Sequence, residues 1–517
     1  MEENERVDLK LGLIAKSSVI VFVGLFLSKL ITYFYKIIIG RSYGPESYGL
    51  FSLAIMVLGI FVAVSSLGFT EGLNRFLPIY LSKKEDKKFL YLIGVCKNIF
   101  IFSSILSAIL LFIFSNFISE FFFHTVELSI YLKIFAFVIP LQLFSQFYFS
   151  VIRANEKIGA YSFGVNILQN IPKMIFIIVF AIFGVRASFS ISFSYLLGIF
   201  AMLIFGYIYS RGLVASSVGA SEKRLLATSD RLQAKTHNSN RAILREVFSY
   251  SWPLFLFSVV GSLVFWVDNF AIGFLKDAYW VGIYNSAIPI ATLLLITSEI
   301  FMQLFFPIIT KEINRGNFYV SSELTKQVFK WIFAINLPLV SFIILFPGVF
   351  INFFWGAEYL IAQNSLIFLA IGYFVFSLAI VSNNILSSVG KSKTLLANLG
   401  IISILNLTLN FMLVPIYGID GAAFATMISL IVWSTLLIIE AKYFSKIFPF
   451  RRKMINVLFS AGITTGFLFF FTEYFKFGVI GLILFAIIYA IVYFAMLILT
   501  RALDENDWKI LKKVGGR

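Results

Sequence analysis

Apolar stretches of roughly 20 residues, the length that crosses a bilayer as a helix, follow one another along the whole chain, separated by short polar turns. Read with the Gly, Pro and Asn signals in those turns, the pattern predicts about fourteen membrane spans. They fall at 13–39, 48–80, 89–118, 128–152, 159–183, 189–210, 247–274, 280–310, 327–353, 361–388, 394–414, 420–440, 455–472 and 478–500. The short alternating strands of a membrane barrel are absent, so the expected class is an all-α polytopic membrane protein. Several spans exceed the bilayer thickness and are expected to tilt or project beyond it. One long hydrophilic stretch, 211–245, contains "SEKRLLATSDRLQAKTHNSN" and reads as a cytosolic linker. No expected exterior loop is long enough to hold a domain.

The linker separates halves that resemble each other. Gly40, Gly49, Phe51 and Ala54 match Gly273, Gly282, Tyr284 and Ala287 at a shift of 233 positions. "IFGV" at 182–185 matches "IYGI" at 416–419, and Lys157 matches Lys391, both at a shift of 234. A near-constant offset over separate regions predicts an internal duplication. An even number of spans per half keeps both halves in one orientation, the parallel-repeat arrangement of many secondary transporters. The expected organisation is an N-terminal six-helix lobe (1–210), the linker (211–245), a C-terminal six-helix lobe (246–443), and two further helices with a cytosolic tail (444–517).

Composition agrees: 60% of residues are hydrophobic, 18% aromatic and only 13% charged, well below a soluble domain. The formal charge of +16 invites a nucleic-acid reading, but its distribution argues otherwise. The basic residues cluster in every second loop: Lys83, Lys84, Lys87 and Lys88; Arg153 and Lys157; Lys311 and Arg315; Lys391 and Lys393; Arg451, Arg452 and Lys453. Intervening loops carry single cations, Arg41, Arg186, Lys276 and Lys476. This is the positive-inside pattern, which places both termini in the cytoplasm and the chain in the cell membrane. No cleavable leader is read before the first span. Cys96 is a single cysteine, and no Cys/His spacing suits a metal, so no cofactor is expected.

Ionisable residues within spans are rare and commonly face a cavity or one another. In the first half they are mostly basic: Lys29 and Lys36, Arg75, Lys97 and Lys173. Lys29, Tyr33 and Lys36 share one helix face. Lys36 is close enough to the exterior boundary to snorkel instead, as Lys97 is at the cytoplasmic side. Glu71 and Arg75, four apart, are spaced to pair on their helix. In the second half, Asp268 and Asn269 align with Tyr35 and Lys36, and Glu299 is the other deep carboxylate. Asp268 and Glu299 are candidates for coupling-ion binding or for charge pairing with a lysine. Asn406 and Asn410 fall inside a span and are expected to make interhelical hydrogen bonds. "GKS" at 390–392 lacks the first glycine of a phosphate-binding loop and any preceding strand.

"GRSYGPESYGLFSLA", "GFTEGLNRFLP", "VGIYNSA" and "VPIYGIDGAAFATMIS" resemble the polysaccharide transporter family of the multidrug/oligosaccharidyl-lipid/polysaccharide flippase superfamily. The resemblance extends over essentially the whole chain. It implies two six-helix lobes around a cavity, with two additional C-terminal helices. It also implies alternating-access movement of polyprenyl-phosphate- or pyrophosphate-linked oligosaccharide between leaflets. On that reading the partners are the lipid-linked oligosaccharide, membrane lipids and glycan-assembly enzymes, with no nucleic acid, and the unit is a monomer that is not an enzyme. Lys29, Lys173, Lys36 and Arg75 would then hold the phosphate junction. One competing reading is a multidrug cation antiporter, which needs membrane carboxylates where this chain carries lysines. The other is a membrane glycosyltransferase or polymerase, which needs a larger exterior loop; the acidic cluster Asp504–Asp507 is expected in the cytosol.

Overall fold

The structure is a computed structural model that describes residues 2–218, 233–472, 479–503 and 507. The middle of the expected linker (219–232), the turn at 473–478 with Lys476, and tail positions 504–506 and 508–517 lie outside the described residues. Among the described residues the secondary structure is helical throughout. Ten helices among the described residues are long and apolar enough to cross a membrane, or eleven when the pair Ala278–Ala291 and Leu293–Gln303, bent by 42°, is taken as one span.

The expected spans are more numerous because some observed helices hold two of them. Glu2–Ser66 is kinked at Gly44 (φ 78°), which precedes Pro45, and Ser392–Ser445 is kinked at Gly418 (φ 60°). Only glycine adopts such angles without strain, so each kink joins two helices that follow each other directly in the chain. The expected span 48–80 is instead broken at Leu67–Gly68, so Glu71 and Arg75 lie on a separate helix, Phe69–Ser82. The expected span 159–183 contains a π-helical turn, Phe163–Leu168, ahead of the helix Asn170–Ile182 that carries Lys173.

The backbone reproduces the internal duplication. Gly184 and Gly418 share a positive φ, at 65° and 60°, and Glu156 and Gly390 do so at 58° and 75°. Both pairs are separated by the shift of 234 read from the side chains.

Contacts divide the chain into two compact units, Leu30–Gly282 and Met1–Lys29 with Ile283–Arg517. In Leu30–Gly282 the core joins Phe69, Leu73, Phe76 and Leu77 to Phe89, Phe100, Leu143, Phe147 and Val247. The helix Gln233–Leu275 packs here, against Phe69–Ser82 and Asp86–Phe117. In the other unit the core runs through Phe305, Val328, Phe329, Ile332, Val381, Leu386 and Leu437.

Which face is buried follows membrane rules rather than aqueous ones. The helix Asp86–Phe117 buries Cys96, Ser103, Ser104, Ser107 and Ser115. It exposes Phe102, Ile105, Ile109 and Ile113. The buried face also holds Phe89, Leu92, Phe100 and Leu111, so the small residues supply close approach within an apolar core while the other large apolar side chains face the bilayer.

The repeated glycines mark the closest such approach. A Cβ on Gly49 would stand 1.7 Å from the Ala278 carbonyl oxygen, and one on Gly282 would stand 1.8 Å from that of Pro45. Pro45 and Ala278 are themselves related by the shift of 233. The contact is therefore reciprocal, as across a twofold axis: each glycine receives the carbonyl of the other's helix start.

In the C-terminal unit, Lys330 and Asp507 form a buried ion pair at 2.5 Å. Gln327 Nε2 and Trp331 Nε1 donate to the Asp507 carboxylate, and Arg451 donates to Gln327. Asn406 donates to Thr426 across the Gly418 kink at 3.1 Å, the interhelical role expected of it.

Candidate functional site

The unit Leu30–Gly282 contains two adjoining cavities that share Thr70, Gln142 and Gln146 as walls. One, of about 280 Å³, is also lined by Glu71, Tyr195, Ser258 and Trp266. The other, of about 200 Å³, is also lined by Asn74, Ser145, Tyr161, Gln169 and Phe149. Together they fall within the range typical of small-molecule sites, about 300–1,000 Å³.

The break at Leu67–Gly68 positions the first wall. Gly68 and Gly72 let Phe69–Ser82 lie against Ser251, where added Cβ atoms would meet its carbonyl oxygen at 2.3 Å and its hydroxyl at 2.5 Å. That contact fixes the rotation of the helix and places Thr70, Glu71 and Asn74 on the cavity. Ser258 Oγ donates to Glu71 Oε1 at 3.2 Å. Gln142 and Gln146 come from the helix Leu128–Ala154 one turn apart, so they share its cavity face.

Three polar atoms here are buried without a hydrogen-bond partner: Thr70 Oγ1, Glu71 Oε2 and Gln142 Oε1. A buried polar atom left unpaired costs about 1–3 kcal/mol, so three around one cavity make it the candidate site.

Lys173 stands behind this wall, only 4% exposed. Its Nζ lies 4.1 Å from the centroid of Tyr195. With the Gln169 amide oriented to satisfy both its ends, the Gln169 oxygen accepts from Lys173 Nζ at 3.0 Å. The Tyr195 ring is held by Phe51 and Phe135, at 6.0 and 5.2 Å between centroids. A desolvated cation over an aromatic face gains about 2 kcal/mol or more, enough to help keep the ammonium here. Gly198 makes the room: a Cβ on it would stand 2.3 Å from Lys173 Cγ. Gly198→Ala is therefore expected to displace Lys173 from this seat and to lower the melting temperature of the purified protein in detergent.

The remaining sequence candidates divide. Lys36 is half-buried and close enough for its charge to act on Lys173. Arg75 is exposed and stacks on Tyr250, 4.1 Å from the ring centroid. The pairing of Glu71 with Arg75 expected from their spacing does not form, because Ser258 holds Glu71 and Tyr250 holds Arg75. Lys29 belongs to the other unit, where it pairs with Glu299 at 3.1 Å, both side chains about a third exposed. Of the roles open to Glu299, the structure contains the lysine pairing. Asp268 is half-buried in Leu30–Gly282 and engaged by neighbours. Sequence reading passed over Asn74, Gln142 and Gln146. Their signal is a pair of glutamines four apart in an otherwise apolar span, "QLFSQ".

In the other unit, a cleft of about 500 Å³ is lined mainly by apolar groups, among them Ile367, Phe368, Leu413 and Phe424. Its carboxylate, Asp420, is already bonded by Ser365 at 2.6 Å and Asn364 at 3.3 Å.

Comparison with known proteins places this geometry. The family model described as polysaccharide biosynthesis protein matches residues 14–313, and the model described as MatE matches 253–412. A putative O-antigen transporter of Shigella flexneri is 24% identical over 417 residues, covering 78% of this chain and 90% of the relative. The lipid II flippase MurJ, in an inward closed conformation, superimposes with a TM-score of 0.68 at 18% identity, covering 93% of this chain and 99% of that one. An inward-facing multidrug resistance MATE family transporter gives 0.64 at 14% identity over 81% and 94%.

Proposed function

The chain belongs to the polysaccharide biosynthesis protein family, and within it we propose a flippase that moves lipid-linked oligosaccharide across the cell membrane. Its cargo is a sugar chain joined to a polyprenyl lipid through phosphate or pyrophosphate, carried with both termini of the protein in the cytoplasm. The observation that carries this reading is the amide- and hydroxyl-lined cavity of Leu30–Gly282, backed by Lys173 with Lys36 nearby. A sugar phosphate needs hydrogen-bonding groups together with positive charge. A cationic drug needs carboxylates, and Glu71 is the only carboxylate among the described lining residues. The relatives described as a putative O-antigen transporter and as a lipid II flippase support the same reading.

The buried ammonium of Lys173 attracts the phosphate junction through the Tyr195 and Gln169 wall. At an effective dielectric near 20, unit charges about 8 Å apart interact by about 2 kcal/mol, so Lys173→Met is expected to slow transport by about tenfold or more. The assay is the loss of a fluorescent lipid-linked oligosaccharide to a membrane-impermeant quencher in vesicles containing the purified protein. Drug-dependent proton or sodium efflux without lipid movement would replace this reading with an antiporter. A change in glycan chain length would replace it with an enzyme.

Lys29 is a second cation for the cargo's phosphate once it is released from Glu299, a partially exposed pair worth at most about 1 kcal/mol. Lys29→Ala is expected to abolish transport while leaving the protein inserted and monodisperse. The charge-swapped variant Lys29→Glu with Glu299→Lys separates two roles. It keeps the pair but loses a cation at position 29, so it should remain inactive; wild-type transport by the swap would make the pair structural only.

A further inference from the structure

We propose that Gln142 and Gln146 read the hydroxyl groups of the sugar nearest the lipid, making the cavity of Leu30–Gly282 the element that selects the glycan. This rests on the flippase reading and extends it to specificity. Asn74, Gln142 and Gln146 line the cavities, and among the described residues their side chains make no hydrogen bond. Gln142 Oε1 and its neighbours Thr70 Oγ1 and Glu71 Oε2 are buried and unsatisfied. An amide offers both a donor and an acceptor, and a hydroxyl answers with both. Two amides one helical turn apart on one face can therefore bracket adjacent hydroxyls of a sugar ring.

The neighbouring serines do not compete for that role. Ser145 Oγ donates to the Leu141 carbonyl at 2.8 Å, and Ser150 Oγ donates to that of Gln146 at 2.9 Å. Their bonds are spent within the helix, leaving the amides as its outward polar groups. A bare cation would satisfy the three orphan oxygens but would leave the amide N–H groups without acceptors. It would also leave unexplained the chambers of about 280 and 200 Å³ and their aromatic walls, Trp266 and Tyr195 in one and Tyr161 in the other. Sugars use such rings for their apolar C–H faces while hydrogen-bonding around the rim. The cations lie elsewhere: Lys173 is covered by Tyr195 and Gln169, so charge and sugar recognition occupy separate layers.

The test compares two polyprenyl pyrophosphates in vesicles containing the full chain. One bears a fluorescent neutral disaccharide, and the other bears the same disaccharide with its lipid-proximal sugar deoxygenated. Wild type is expected to favour the fully hydroxylated lipid. Gln142→Leu and Gln146→Leu, which preserve approximate volume, are expected to slow that lipid by about tenfold and leave the deoxygenated one nearly unchanged. The selectivity ratio thus collapses, whereas a packing defect would slow both lipids alike. Equal slowing of both, or no change in either, overturns the assignment. Should wild type move neither lipid, the flippase reading fails, and binding of the free disaccharide, followed by tryptophan fluorescence, decides the site separately. Binding weakened by both leucine variants sustains it, and unaltered binding or saturable binding of sodium alone overturns it.

Discussion

Replacing either Gly49 or Gly282 by alanine is expected to abolish the yield of folded protein. The new methyl group would overlap main-chain carbonyl oxygens at 1.7 and 1.8 Å, and a main chain cannot step aside as a side chain can. Relief requires the helix starts at Pro45 and Ala278 to separate, carrying Tyr48, Leu53 and Val281 out of a region where each is at most 1% exposed. Overpacking a core ordinarily costs 1–3 kcal/mol, and an overlap with backbone on both sides should exceed about 3 kcal/mol, a large part of total stability. Monodisperse yield in detergent and thermal unfolding measure the effect. Gly94→Ala is the control: it meets nothing within 4 Å on the helix Asp86–Phe117 and should be neutral or slightly stabilising. A normal melting profile for Gly49→Ala would show that the two helices do not meet at this distance.

The buried pair of Lys330 and Asp507 carries the second large effect. Asp507→Ala leaves an ammonium enclosed with its principal counter-charge removed, and breaking a buried pair in this way costs about 3–5 kcal/mol. The loss should concentrate where the chain after the last span is fastened. There Lys330 also donates to the Ala502 carbonyl at 3.4 Å, Lys453 to that of Leu503 at 3.3 Å, and Asn456 to that of Thr500 at 2.7 Å. Limited proteolysis of the C-terminal segment should therefore accelerate before global unfolding does. The double variant Lys330→Met with Asp507→Leu removes both charges and is expected to recover most of the stability, because neither desolvated ion is then left alone. Equal destabilisation by the single and double variants would mean that shape, rather than charge, holds the segment.

These effects divide unevenly between what was legible in the chain and what was not. The parallel repeat was legible because a duplicated backbone turn constrains the same residues twice: Gly49 with Gly282, and Gly184 with Gly418. Why Gly49 and Gly282 recur was not legible, because their reason is a contact between segments more than 200 positions apart. Lys173 was identifiable as a costly charge within a span, but the ring and amide that accommodate it belong to Tyr195 and Gln169. Asp507 read only as part of an acidic cluster in the cytosol; its burial was not legible, because Lys330, Gln327 and Trp331 converge on it from a helix about 180 positions earlier. Glu71 and Arg75 had the right spacing to pair, but each finds a partner on the helix Gln233–Leu275.

The sequence alone determined that this chain is a helical, multi-pass membrane protein with an internal parallel repeat and the motifs of a glycan-carrier family. Hydrophobic length, charge between spans and glycine at forced turns are local quantities, written in the order of residues. Only the tertiary structure decided which polar groups face a common space and which have already spent their bonds. It joined Thr70, Glu71, Gln142 and Gln146 around one cavity, put Lys173 behind its wall and drew Lys29 to Glu299. The physical reason is that desolvation and hydrogen-bond satisfaction depend on the full set of neighbours in space, and helices far apart in sequence supply most of those neighbours.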